Sequence, residues 1–127
     1  MPNKTIIKPA KSPVAVGPYN QAVRVGDLLF CAGQIPIDPA SGNLIAGDIK
    51  AQTERVLQNV KAILDDQKLT FANVVKSTVF MTNLADFAAM NEVYAKYFTS
   101  DFPARSTIQV AALPKGASVE IEVVAHF

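Results

Sequence analysis

The sequence has no tryptophan, one histidine, one cysteine and no excess of either charge. One histidine and one cysteine cannot assemble a zinc cluster. His126, next to last in the chain, offers no Ser-His-Asp arrangement. The lone Cys31 cannot close an internal disulfide, and its place in the apolar run Leu28-Leu29-Phe30-Cys31-Ala32 suits a buried thiol in a reduced compartment. Twelve Lys and Arg against eleven Asp and Glu leave a net charge of +1, so electrostatic capture of nucleic acid or an anionic membrane is not indicated. There is no Walker sequence and no dinucleotide glycine fingerprint. Asp65-Asp66 is too brief for an EF-hand, and the thin basic start of Lys4, Lys8 and Lys11 reads as a solvated end. No window approaches a membrane span and no long apolar signal core opens the chain, so a cytoplasmic protein is expected. An enzyme of this composition is expected to work through binding, orientation and water, with no metal and no cofactor.

What remains is a chain of 127 residues, half of them hydrophobic, with a mean hydropathy of +0.20. That suffices for one domain over residues 1–127, with an apolar surplus suited to a subunit interface. Residues 1–13, broken by Pro2, Pro9 and Pro13, read as extended or loose. Gly17-Pro18-Tyr19 makes a bend, and the segments 21–25 and 28–33 make a hairpin about Gly26-Asp27. A loop with Pro36, Pro39 and Ser41-Gly42-Asn43 follows. The period then changes to about 3.6: Ile49, Thr53, Val56, Leu57, Val60, Ile63 and Leu64 share one face of a helix capped by Asp48 and ending near Gln67. Residues 74–81 alternate as a strand. A second helix covers 86–98, with Phe87, Met90, Tyr94 and Phe98 inward. Strands at 107–112 and 118–127 close the chain around a turn at Pro114-Lys115-Gly116. The order β-β-α-β-α-β-β, with room for a short strand near the start, predicts a two-layer α+β domain. Two helices pack on one face of a mixed sheet, and the opposite face meets water or another subunit.

The chain has only three arginines against nine lysines. Arg24 and Arg55 fall on a strand and a helix, where solvent or a salt bridge accounts for them. Arg105, in Phe102-Pro103-Ala104-Arg105-Ser106-Thr107, sits where loop becomes strand. A structural ion pair is its ordinary reading, and a two-pronged grip on a carboxylate is the sharper one. Glu120 points away from the helix-covered face of its strand. It either meets solvent or a lysine such as Lys76, or it orients a water molecule, and Glu122 on the same face competes for that role. Asn91 is suited to bonding a loop, Tyr19 to packing after its Gly-Pro bend, and Gly33 to a turn. Each is also placed to border a small ligand. Lys76 as a Schiff-base lysine has nothing to mark it.

Taken in order, these segments resemble the RidA/YjgF family of enamine/imine deaminases over nearly the whole chain. The resemblance is carried by Ala15-Val16-Gly17-Pro18-Tyr19, Gly33-Gln34-Ile35-Pro36, the helix with Gln52 and Asn59-Val60-Lys61-Ala62-Ile63, and Val75-Lys76-Ser77-Thr78-Val79-Phe80. Phe102-Pro103-Ala104-Arg105-Ser106, Leu113-Pro114-Lys115 and Val119-Glu120-Ile121-Glu122 complete it. It implies a chorismate-mutase-like fold, a homotrimer with clefts between subunits, and cofactor-free hydrolysis of 2-iminobutanoate, 2-iminopropanoate and their enamine tautomers. By motif, Arg105 binds the substrate carboxylate and Glu120 orients the attacking water. The backbones of Gly33 and Thr107, with Tyr19 and Asn91, shape the cleft. Three positions depart from familiar members: Ala32 where many have serine, Thr107 for a common cysteine, and Gln109 for glutamate in some. The rival readings are a trimeric sensor of 2-oxo or 2-imino acids, an RNA-cleaving translation inhibitor and a purely structural or chaperone-like trimer. The neutral charge and missing histidine pair disfavour the RNA reading.

Overall fold

A computed structural model describes residues 3–127. They form one six-stranded sheet in the order β1-β2-β3-β6-β4-β5. The strands are β1 (Lys4–Ile7), β2 (Ala22–Val25), β3 (Leu28–Cys31), β4 (Val74–Met81), β5 (Ala104–Gln109) and β6 (Val119–His126). Helices α1 (Ile49–Asp66) and α2 (Phe87–Tyr97) cover one face. Only β4 and β5 run parallel. The remaining neighbours are antiparallel, so the sheet is mixed as expected. The short strand allowed for near the start is β1, paired to β2.

Strand alternation decides which residues meet the helices. Val119, Ile121, Val123 and Ala125 of β6 are buried, as are Ser77, Val79 and Met81 of β4 and Leu29 and Cys31 of β3. They pack against Val56, Leu57, Val60, Ile63 and Leu64 of α1 and Met90, Val93 and Tyr94 of α2. Each fully buried aliphatic side chain contributes about 1.5–3 kcal/mol of transfer free energy, so this layer dominates stability. Burial pushes the Cys31 thiol up to about 12, which keeps it protonated. Asp48 caps α1 as predicted, its Oδ1 accepting from the Ala51 amide at 2.9 Å. The two helices are joined by a Lys50–Glu92 ion pair of 2.9 Å and by the Tyr97 hydroxyl, which donates to Glu54 and accepts from Gln58.

Four expectations shift. The fifth strand begins at Ala104, three residues early, because parallel pairing with β4 opens at Lys76↔Ala104. Val75 breaks the alternation expected over 74–81: two residues before buried Ser77, it is exposed, because a bulge between Val74 and Lys76 resets the register. Phe87, expected inward, opens α2 and is 38% exposed. The two arginines assigned to solvent or salt bridges are half-buried and form no salt bridge among the described residues. Arg24 donates from Nε to the Gly26 carbonyl and lies 3.7 Å over the Phe127 ring. Arg55 donates to Asn59 Oδ1 at 2.9 Å.

Asn59 is wholly buried, and its Nδ2 donates to the Ile35 and Ile37 carbonyls at 3.2 and 2.8 Å. The loop leaving Gly33 is thereby fastened to α1. Asn59→Ala leaves the Ile37 carbonyl and the Arg55 donor without partners, while the Ile35 carbonyl keeps the Ile37 amide, and a loss of about 2 kcal/mol in unfolding free energy is expected. A urea denaturation midpoint measures it, and an unchanged midpoint would show that the loop holds itself.

Candidate active site

The residues singled out in the sequence fall into two clusters. Arg105 and Thr107 alternate with Ser106 along β5, and they share the helix-covered side with Val79, the register partner of Thr107. Arg105 Nη1 donates to Asn91 Oδ1 of α2 at 2.7 Å. Its guanidinium carbon lies 4.7 Å from the Tyr94 ring centroid and 5.5 Å from that of Phe87. Asn91 therefore bonds a strand arginine and not a loop. Tyr94 shares a 2.7 Å hydrogen bond with the buried Ser77 hydroxyl, which fixes the ring under the cation. Burial pushes the Tyr94 phenol up, against the opposing pull of the Ser77 bond and the Arg105 charge, so the ring stays neutral. Among the described residues no carboxylate pairs with Arg105. The ordinary ion-pair reading thus fails, and the charge faces a cleft of about 430 Å³ bordered by Asn91, Tyr94, Phe98, Phe102 and Pro103.

Glu120 lies on the other face. Its partner across the sheet is Phe80, which shares that face with Lys76 and Thr78. Lys76 does not pair with Glu120; its Nζ donates to Ser106 Oγ at 3.1 Å. Glu120 borders a second cleft of about 610 Å³, with Tyr19, Gly33, Val14, Val16 and Lys115. Gly33 makes this possible: a Cβ there would collide with Glu120 Oε2 and lie 2.8 Å from Cδ. Its missing side chain is what Glu120 occupies. Desolvation, helped by the Glu122 charge, holds the Glu120 carboxyl above the usual glutamate range. Glu122 points to the same face and is exposed, acting on Glu120 as a like charge.

One chain therefore brings Arg105, Asn91 and Thr107 together, and separately Glu120, Gly33 and Tyr19. Sequence reasoning missed Tyr94 and Ser77 as the support of Arg105. The signal was present, because Asn91 and Tyr94 are three apart on one helix and so share a face. Among the described residues no group of three His, Cys, Asp or Glu side chains is placed to hold a metal ion. Among the described residues no helix is long and apolar enough to cross a membrane.

The family model described as endoribonuclease L-PSP matches residues 9–127. The chain belongs to this family, the RidA/YjgF family. Relatives agree along almost their whole length. Human 2-iminobutanoate/2-iminopropanoate deaminase is 47% identical, over 96% of this chain and 89% of the human one. RidA from an Antarctic Psychrobacter superposes with a TM-score of 0.92 at 44% identity, covering 97% and 99% of the two chains. TdcF of E. coli, solved with bound serine, superposes with a TM-score of 0.91 at 43% identity over 97% and 98%.

The contact between Gly33 and Glu120 gives a test of the second cleft. Gly33→Ala should fold normally, since a flexible carboxylate can swing aside, but Glu120 is displaced toward water. Its pKa then falls toward the ordinary glutamate value, because relieved desolvation favours the charged form. Carboxyl-carbon NMR titration reads the shift, and an unmoved Glu120 would mean that the glycine is there only for the turn.

Proposed function

We propose that the protein hydrolyses 2-imino acids and their enamine tautomers to 2-oxo acids and ammonia, in clefts shared between subunits of a homotrimer. The observation that carries this is Arg105, a guanidinium steadied by Asn91 and Tyr94 and lacking a carboxylate partner of its own. A planar fork held on neutral supports is matched to an incoming carboxylate. Membership in a family that includes imino-acid deaminases, and the serine held by TdcF, support the same ligand class.

Arg105 of one subunit binds the substrate carboxylate, with the Thr107 backbone and Asn91 beside it. Glu120 of the next subunit, with Tyr19 and the backbone of Gly33, faces the reacting carbon. The strand alternation supports a shared cleft, since the two clusters lie on opposite faces of one sheet. In its ionised form Glu120 accepts a proton from a water molecule as that water adds to C2 of the protonated imine. The resulting carbinolamine takes a proton on nitrogen, its C–N bond breaks with the electron pair leaving on ammonia, and the hydroxyl loses its proton to give the 2-oxo acid. Imines also hydrolyse unaided, so orientation and proton handling supply the whole acceleration. The uncovered sheet face carries Val25, Leu28, Phe30 and Ile108, each at least 36% exposed in one chain. This apolar surface supports an assembly of copies.

The RNA-cleaving reading has the family model's description in its favour. Against it stands a lone His126 at the end of β6, with no second histidine to act as acid or base. RNA incubated with the same preparation tests it directly.

Imines generated in place by an amino-acid oxidase, with semicarbazide trapping what remains, measure turnover. Arg105→Ala should lower kcat/KM by about 100- to 1,000-fold while assembly is retained, as expected for a lost two-pronged charged contact. Arg105→Lys should recover roughly tenfold of that. Absence of turnover by an assembled wild-type protein would leave the sensor reading.

The pH profile provides a second check. Ionised Glu120 is the working form, so the acid limb of kcat/KM lies above the ordinary glutamate range. Glu122→Gln removes a like charge, lowers the Glu120 pKa and moves the acid limb to lower pH. A limb that stays in place would exclude Glu120 as its source.

A further inference from the structure

Two buried glutamines have no part in the chemistry above. Gln21 and Gln34 are 7% and 3% exposed. Gln34 Nε2 donates to Gln21 Oε1 at 2.7 Å and to the Ala32 carbonyl at 3.1 Å. Gln21 Nε2 in turn donates to the Pro13 carbonyl at 2.7 Å. Carbonyl acceptors at Ala32 and Pro13 leave one way for each amide to face, so the bonds form a directed relay. At its other end Gln34 is joined to β6: its amide donates to the Ile121 carbonyl at 2.9 Å, and its own carbonyl accepts from the Ile121 amide at 3.1 Å. Ile121 is the residue after Glu120.

The relay ends on a segment that little else holds. Residues 13–19 belong to no strand or helix, yet they carry Val14, Val16 and Tyr19 into the Glu120 cleft. Within the segment the Tyr19 amide bonds the Gly17 carbonyl, and the Val16 amide reaches the Tyr19 hydroxyl at 3.4 Å. Among the described residues, the Gln21 bond to Pro13 is the hydrogen bond that ties it to the sheet. In one chain Val14 and Val16 are 85% and 81% exposed, so packing within the chain does not hold them either.

We propose that Gln34 and Gln21 are positioning residues, which fix the Pro13–Tyr19 segment as one wall of the Glu120 cleft and so set how the apolar side chain of a 2-imino acid is received. Gly33-Gln34 then has two jobs. The glycine admits the Glu120 carboxylate, and the glutamine carries the opposite wall from the strand that bears it. The apolar groups at the wall point to substrate side chains of increasing length as the feature discriminated. The kinetic consequence rests on the deaminase reading, whereas the ordering of the segment does not.

Two variants cut the relay at different links. Gln34→Met keeps the volume and removes both donors. Gln21→Glu keeps the acceptor for Gln34 but loses the donor to Pro13, so only the last link breaks. Hydrogen exchange followed by NMR should show the segment's bonded amides, Val16 and Tyr19, exchanging about tenfold faster in both, the equivalent of one buried hydrogen bond, with amides of α1 and β6 unchanged. On imines generated in place, KM should rise about tenfold for 2-iminobutanoate and less for 2-iminopropanoate, with kcat within about threefold of wild type. Unchanged exchange at Val16 and Tyr19 in either folded variant overturns the proposal. So does acceleration spread evenly over the whole chain, which would make the glutamines part of general stability. If Gln34→Met fails to fold, Gln21→Glu decides alone, since its relay to β6 is intact. Wild-type protein without turnover would refute the deaminase reading and leave the exchange result to decide the relay.

Discussion

Successive side chains of a β-strand point to opposite faces of its sheet, and that rule separates Arg105 from Glu120. On β5 the alternation places Arg105 and Thr107 toward α2. On β6 it buries Val119 and Ile121 beneath the helices and turns Glu120 to the far side. A one-residue slip of β6 would bring Glu120 around, but would drive Glu120 and Glu122 into the core in place of Val119, Ile121 and Val123. Burying two unpaired carboxylates costs far more than the hydrophobic packing they would displace. The separation is therefore as fixed as the core itself. On the proposed reading, a site that uses both residues takes them from two chains.

Each of the two clusters borrows its rigidity from the packing around it. Helix α2 buries Met90, Val93 and Tyr94, and the same helix presents Asn91 to Arg105. The Tyr94 ring serves both roles, stacked on Phe98 at 4.3 Å and lying beneath the guanidinium. On the other side, Asn59 holds the loop that follows Gly33, while Glu120 fills the space that glycine leaves open. Removing these supports would leave the functional residues present but loosely aimed.

The periodic parts of the fold were legible in the sequence. The two helices, the β2–β3 hairpin and the buried face of β6 all follow from spacing, because each places apolar groups at one repeat over many residues. What escaped had no local signal. The start of β5 depends on pairing with β4, some thirty residues away in sequence, and the exposure of Val75 on a bulge in the β6 ladder. The candidate site was legible in composition but not in arrangement. An arginine two residues after a proline and a glutamate on an apolar strand stood out as residues. The facing of Glu120 was legible from the alternation of its strand, whereas that of Arg105 required the register of β5 on β4, and the partners of Arg105 required the packing of α2. The Gln21–Gln34 relay joins residues thirteen apart and was invisible for the same reason.

The shared cleft can be tested by mixing two inactive proteins. Arg105→Ala lacks one half of every cleft and Glu120→Gln lacks the other, so neither alone should turn over 2-iminobutanoate. If each cleft takes its arginine from one chain and its glutamate from the next, random equimolar reassembly restores both residues in about one quarter of clefts, and activity should return to about that fraction of wild type. Mixed trimers, verified by native mass spectrometry and still inactive, would contradict the account.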